Sequence, residues 1–150
     1  MIIIYSPEGA AEQALDAGRM KASEIQLIER TADARWEAIK EAMAEGEINA
    51  MRVVAWAVKK RTEPSLRYAD FDPWEGELRV RIDAREVHAY AERIIAKYGS
   101  NPDTLAAAFD ELRDSAFKRE DAEKAIADVT APKDPAPAHA AEPMPEDGSA

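Results

Sequence analysis

The sequence predicts an α+β protein that is mainly α: a helical bundle of about five helices with a small antiparallel β-sheet and a disordered C-terminal tail. Apolar residues recur at helical spacing through the middle of the chain. Two short stretches, Ile2-Ile3-Ile4-Tyr5 and Leu78-Arg79-Val80-Arg81-Ile82, are β-branched or alternate with period two. Five of the nine prolines fall in the last twenty residues. With 150 residues, 46% of them hydrophobic, the chain suits one core of ordinary domain size. That domain is expected over residues 1–128. Residues 129–150, rich in Ala, Pro and acids and without an aromatic, hold too little apolar surface to offset their ordering entropy.

Taken in order, Ile2 to Tyr5 is a strand stopped by the turn composition Ser6-Pro7-Glu8-Gly9, and Glu12 to Asp16 can return as a weaker second strand. Ser23-Glu24-Ile25-Gln26 reads as a capping box opening a helix to about Arg30. Asp33 is placed to cap the next helix, with Trp36, Ile39 and Met43 on one face and Gly46 at its end. A third helix, Glu47 to Thr62, is uncharged on every face across Val53-Val54-Ala55-Trp56-Ala57-Val58. Such a helix is either the central one or part of a partner site. Leu66 to Glu77 reads as a loop carrying Tyr68, Phe71 and Trp74, and the alternating strand after it can pair with the N-terminal hairpin. Asp83 and Glu86 form a second capping box before Val87, Tyr90, Ala91, Ile94 and Tyr98 at helical spacing, with Gly99 as the C-terminal cap. Asn101-Pro102 opens a last helix, expected to fray near Asp128, with Leu105, Ala108, Phe109, Leu112 and Ala116 on its stripe.

Charge and composition exclude several functions. Thirty acids against twenty bases give a formal net charge of -10, which repels nucleic-acid backbones and anionic lipid alike. The absence of cysteine removes thiolate chemistry and Cys-ligated metal sites. No apolar run approaches the roughly 20 residues of a membrane span, and Met1 to Tyr5 is too short for a signal peptide. His88 and His139 have no partner at metal-ligand spacing, and there is no phosphate loop, nucleophile elbow or H-E-x-x-H motif. Asp70, Asp72 and Glu75 alternate like the start of a calcium loop, but Trp74 occupies a ligand position and the terminal Glu is missing. Asp72-Pro73 is expected to form a turn and Asp70 to be solvated, with Phe71 and Trp74 closing over the core. No catalytic residue, cofactor or metal is expected.

A binding surface is the remaining candidate. If Met51, Val54 and Val58 face the core, Val53, Trp56 and Ala57 lie on another side of the same helix and need a cover. Either the loop bearing Phe71 and Trp74 supplies it, or a partner helix does, with Lys59, Lys60 and Arg61 steering acidic partner residues. The alternative for the basic cluster is structural, since bases in the last turn complement the helix dipole.

The serial order of these features resembles a known family. An N-terminal strand runs into Pro7-Glu8-Gly9, followed by a helix with Ser23 and Ile28-Glu29, Trp36 in the next helix, and Val54-Ala55-Trp56-Ala57-Val58. Lys59-Lys60-Arg61-Thr62, Pro64-Ser65-Leu66-Arg67-Tyr68 and Asp70-Phe71-Asp72 complete the set. Over roughly residues 1–98 the chain resembles the tail assembly chaperones of long-tailed bacteriophages, the actinobacteriophage type in particular. It departs in Ala32, where a Gly often follows the Thr, and in the weakly hydrophobic stretch Gln13 to Asp16. The resemblance implies a non-enzymatic protein of the host bacterial cytoplasm that coats the apolar helices of the tape measure protein and hands them to the polymerising tail tube. Such chaperones often occur also as a longer frameshifted form, which adds that form and the tail tube protein to the implied partners. The rival reading is a structural part of the virion, a minor tail or head-to-tail connector protein.

Overall fold

Strand β1 (Ile2–Tyr5) is the middle of a three-stranded sheet in the order β2-β1-β3, antiparallel to both β2 (Gln13–Asp16) and β3 (Leu78–Arg81). The structure is a computed structural model and describes residues 1–132. Ile3 pairs with Leu15 on one side and Val80 on the other, so these three share a face; Ile3 is fully buried and Leu15 nearly so. The second strand forms despite its thin hydrophobicity, because a single inward Leu suffices at a sheet edge when the central strand supplies three isoleucines.

Helices α1 (Ala22–Ala32), α2 (Trp36–Ala44) and α3 (Ile48–Lys59) follow β2 and pack together, with α3 also against all three strands. Helix α3 is buried from Ala50 through Lys59 apart from Arg52, so of the two readings open to a charge-free helix it takes the central one. Phe71 and Leu78 complete this first core. Helices α4 (Ala84–Tyr98), α5 (Pro102–Ser115) and α6 (Arg119–Thr130) form a second core around Val87, Ala91, Phe109, Leu112, Ala122 and Ile126. The mainly α fold with a small antiparallel sheet agrees with expectation, with six α-helices among the described residues instead of about five.

Several local expectations are corrected. Helix α1 is capped two residues earlier than expected: the Lys21 N–H donates to Glu24 Oε2 at 2.7 Å, so Glu24 and not Gln26 closes the first turn. Asp33 ends α1 instead of opening α2. It adopts φ 52°, and its N–H donates to the Glu29 carbonyl, the left-handed stop that Asp tolerates. The α2 N-terminus is capped from a distance, by Glu29 Oε1 accepting from the Trp36 N–H at 2.8 Å. Helix α3 stops at Lys59, not Thr62, and a turn carries the chain on. The expected last helix is two helices. Ala116 leaves α5 with φ -68° and ψ 141° and forms a parallel bridge with Ile82, whose N–H donates to the Ser115 carbonyl while the Phe117 N–H donates to the Ile82 carbonyl. Helix periodicity cannot show a break made by a partner thirty-four residues upstream. Helix α6 then runs two residues past the expected domain end at 128. Most of the expected tail, with His139, lies outside the described residues.

Two sequence readings hold at atomic detail. Asp83 caps α4, its Oδ1 accepting from the Arg85 and Glu86 N–H groups while Glu86 Oε2 accepts from the Asp83 N–H at 2.9 Å. Asn101 Oδ1 caps α5 at Thr104 N–H, with Pro102 in the first turn.

Candidate partner-binding surface

The face of α3 expected to meet a partner is covered by the chain itself. Val53 and Ala57 are buried, and Trp56 is 5% exposed. The Trp56 Nε1–H donates to the Leu66 carbonyl at 3.0 Å, and the Tyr68 ring meets the indole edge-on at 5.3 Å between centroids. The cover is therefore the segment from Leu66 to Phe71, held down by Arg52, whose guanidinium donates to the carbonyls of Phe71 and Tyr68 and lies 4.4 Å from the Tyr68 ring centre. Phe71 is buried as expected, edge-on to Tyr5 of β1. Trp74 is not part of this lid: it is 75% exposed, and Tyr68 takes the place expected of it. Chain geometry is the reason, because the turn closed by Trp74 N–H on Glu77 Oε2 directs the backbone towards β3 before the indole can fold back.

The basic cluster is likewise engaged internally. Lys59 Nζ donates to Gln13 Oε1 and Glu63 Oε1 at 3.0 and 2.9 Å and lies over the Tyr5 ring. Lys60 Nζ donates to the carbonyls of Pro64 and Leu66 and stands over the Trp56 ring. Arg61 forks onto both Glu24 oxygens at 2.7 and 2.9 Å and reaches the Arg19 carbonyl. That hydrogen bond holds the Glu24 carboxyl below its ordinary range against the opposing effect of burial, and raises the Arg61 guanidinium. Seven of the eight expected residues are thus packed around α3 or bonded to its surroundings, Arg61 while still exposed, and Trp74 alone makes no such contact.

The acidic residues of the loop do not converge. Asp70 accepts from Arg67 at 2.8 Å, which lowers its carboxyl, and Asp72 pairs with Arg52 at 3.5 Å. His88 is an exposed helical residue 3.6 Å from Glu92.

The open apolar surface lies elsewhere, along the seam between the two cores. A trough of about 450 Å³ has β3 as one wall, with Val80 and then Ile82, and α4 and α5 as the others. The α4 wall is the row Glu86, Tyr90, Ile94, Tyr98, four residues apart each time and so on one helix face. Ile94, Tyr98, Val80 and Ile82 are half-buried, and Tyr90 is 43% exposed. A second groove of about 540 Å³, between α4 and the α1–α2 pair, is lined by Met20, Ile25, Trp36 and Met43, and Met1 and Glu86 border both. At that border the Met1 α-ammonium donates to Asp83 Oδ2 at 2.7 Å and pairs with Glu86. Burial pushes the Asp83 carboxyl up, but the ammonium and the two backbone N–H donors outweigh it and hold the group below its ordinary value.

In the sequence, Tyr90, Ile94 and Tyr98 fall at helical spacing together with Val87 and Ala91. The stripe is wider than one neighbour covers: Val87 and Ala91 are buried in the second core, Ile94 packs at its margin, and Tyr90 and Tyr98 are left facing the seam. Chemically, the arrangement can shelter apolar side chains of a docked segment, and it gathers no nucleophile or general base.

No protein-family model matches this chain, and no curated protein or solved structure matches it either.

Proposed function

We propose that the chain is a non-enzymatic tail assembly chaperone of a long-tailed bacteriophage, which binds the apolar helices of the tape measure protein and keeps them in solution while the tail tube polymerises. The serial order of features from Ile2 to Tyr98 supports the family. The observation that carries the reading is the open apolar seam, two adjoining grooves on an otherwise acidic chain of net charge -10. Such a surface can take the apolar face of a partner helix, and the net charge opposes self-association of the loaded complex. Helix α3 contributes rigidity to this function and not contact, since its side chains are already in use.

Co-expression tests the proposal. The tape measure protein is expected to be insoluble alone and soluble with this chain, and the chain is expected to be absent from finished particles. Stoichiometric presence in purified virions makes it a minor tail or connector component instead.

A further inference from the structure

We propose that the trough between β3, α4 and α5 is the docking surface, and that its occupant is an amphipathic α-helix carrying lysine or arginine beside its apolar stripe. This rests on the chaperone reading for its biological partner and names the surface and the chemistry that the reading leaves open. The shape selects a helix. The row from Glu86 to Tyr98 covers about 18 Å of α4, the length of about three helical turns, and its walls are themselves helices whose ridges a third helix can match. Strand addition is the competing mode, because β3 is an edge strand, but the residue after it is already paired: Ile82 bonds to Ser115 and Phe117.

Charge selects the flank. Glu111 stands on the α5 wall, exposed, and the ion pairs of α5 run from Arg113 to Asp110 and Glu123 without it. Glu86 closes one end of the trough, where the Met1 ammonium already neutralises it. Arg93 lies 4.2 Å from the Tyr90 ring centre and Lys97 lies 4.9 Å from that of Tyr98; their stems extend the apolar wall and their charges stay on the α4 rim, which directs a partner's cations to the α5 side. An incoming helix therefore meets a free carboxylate on the α5 side, within a chain of net charge -10 that also repels a second copy of itself. The expected sign is opposite to that suggested by Lys59, Lys60 and Arg61, whose charges are satisfied inside the fold.

The test uses the full chain and two synthetic peptides of about 18 residues, one Leu/Lys and one Leu/Glu, with the same apolar stripe. At about 0.15 M salt, where charges more than about 8 Å apart are largely screened, the Leu/Lys peptide is expected to bind at least about tenfold more tightly. Glu111→Lys and Tyr90→Ala, both at exposed positions, are each expected to weaken it about tenfold without moving the urea midpoint. Glu8→Lys makes the same change of charge in the β1–β2 turn, at the far end of β1 from Met1, and is expected to change binding less than about twofold. Equal weakening by Glu8→Lys and Glu111→Lys, or equal affinity for the two peptides, overturns the proposal. Co-expression separates the two readings. If Glu111→Lys and Tyr90→Ala still solubilise the tape measure protein fully, the chaperone reading stands and the trough assignment falls. If the unaltered chain fails to solubilise it while the peptide pattern holds, the trough stands and that reading falls.

Discussion

Trp56 is 5% exposed and Trp74 is 75% exposed, and the difference decides which of them the fold needs. Truncating Trp56 empties the space between α3 and the Leu66–Phe71 segment and leaves the Leu66 carbonyl with one donor fewer. Trp56→Ala is expected to cost about 3–5 kcal/mol in urea unfolding, and Trp74→Ala less than about 0.5 kcal/mol. A Trp56→Ala protein of unchanged midpoint would show that Tyr68 does not seal that face. Glu24 gives a second test at this scale. Its folded-state pKa lies below its unfolded value, so its contribution to stability is complete above the unfolded pKa and is lost as pH falls through the folded one. The urea midpoint is expected to fall as the pH is lowered into and below the ordinary glutamate range, and Glu24→Gln is expected to flatten that slope.

Among the elements, α4 stands where the two cores meet, and Asp83 serves it twice, capping the helix and receiving the Met1 ammonium. Asp83→Ala is expected to cost about 1–2 kcal/mol from the cap, measured by urea unfolding at neutral pH. Asp83→Asn separates the two roles, because Asn caps as well as Asp but carries no charge for the ammonium. Full stability in Asp83→Asn would show that the ammonium adds nothing. The break between α5 and α6 is the element that only long-range pairing explains. Leu105, Phe109, Leu112 and Ala116 keep helical spacing up to the residue where the chain turns extended, so the local pattern carries no stop signal of the Gly or Pro kind.

At the scale of the whole molecule, the described residues build two hydrophobic cores that share a seam and no extensive helix-to-helix contact across it. The seam is held by the Ile82–Ala116 bridge, by Arg81 donating to the Asp114 carbonyl, and by Met1 on Asp83 and Glu86. Ile28 is fully buried in the first core, so Ile28→Ala is expected to cost about 2–5 kcal/mol. Native-state hydrogen exchange then reports the coupling: amides of α1, α3 and the sheet are expected to lose most protection, and those of α4, α5 and α6 less. Equal loss in all six helices would mean that the seam transmits the full destabilisation. Partial independence of the two halves would let the grooves along the seam adjust to partner helices of different bulk, a use to which the methionines Met1, Met20 and Met43 are suited.

The sequence by itself determined the elements whose cause is local. Period-two alternation placed β3, the Asp83/Glu86 and Asn101-Pro102 signals placed the starts of α4 and α5, and the charge-free run in α3 marked a helix that something must cover. It also limited the electrostatics, through a net charge of -10. What covers α3 was decided only in three dimensions, because an apolar face is equally satisfied by a partner or by the chain's own loop, and Arg52 tips the choice by anchoring that loop through two carbonyls. The same holds for Lys59, Lys60 and Arg61: a basic run looks free in sequence because its acceptors, Gln13, Leu66 and Glu24, are set beside it only by folding. The seam is the counterpart. Tyr90, Ile94 and Tyr98 keep helical spacing, and they are left partly in water because the second core buries Val87 and Ala91 and takes Ile94 only at its margin.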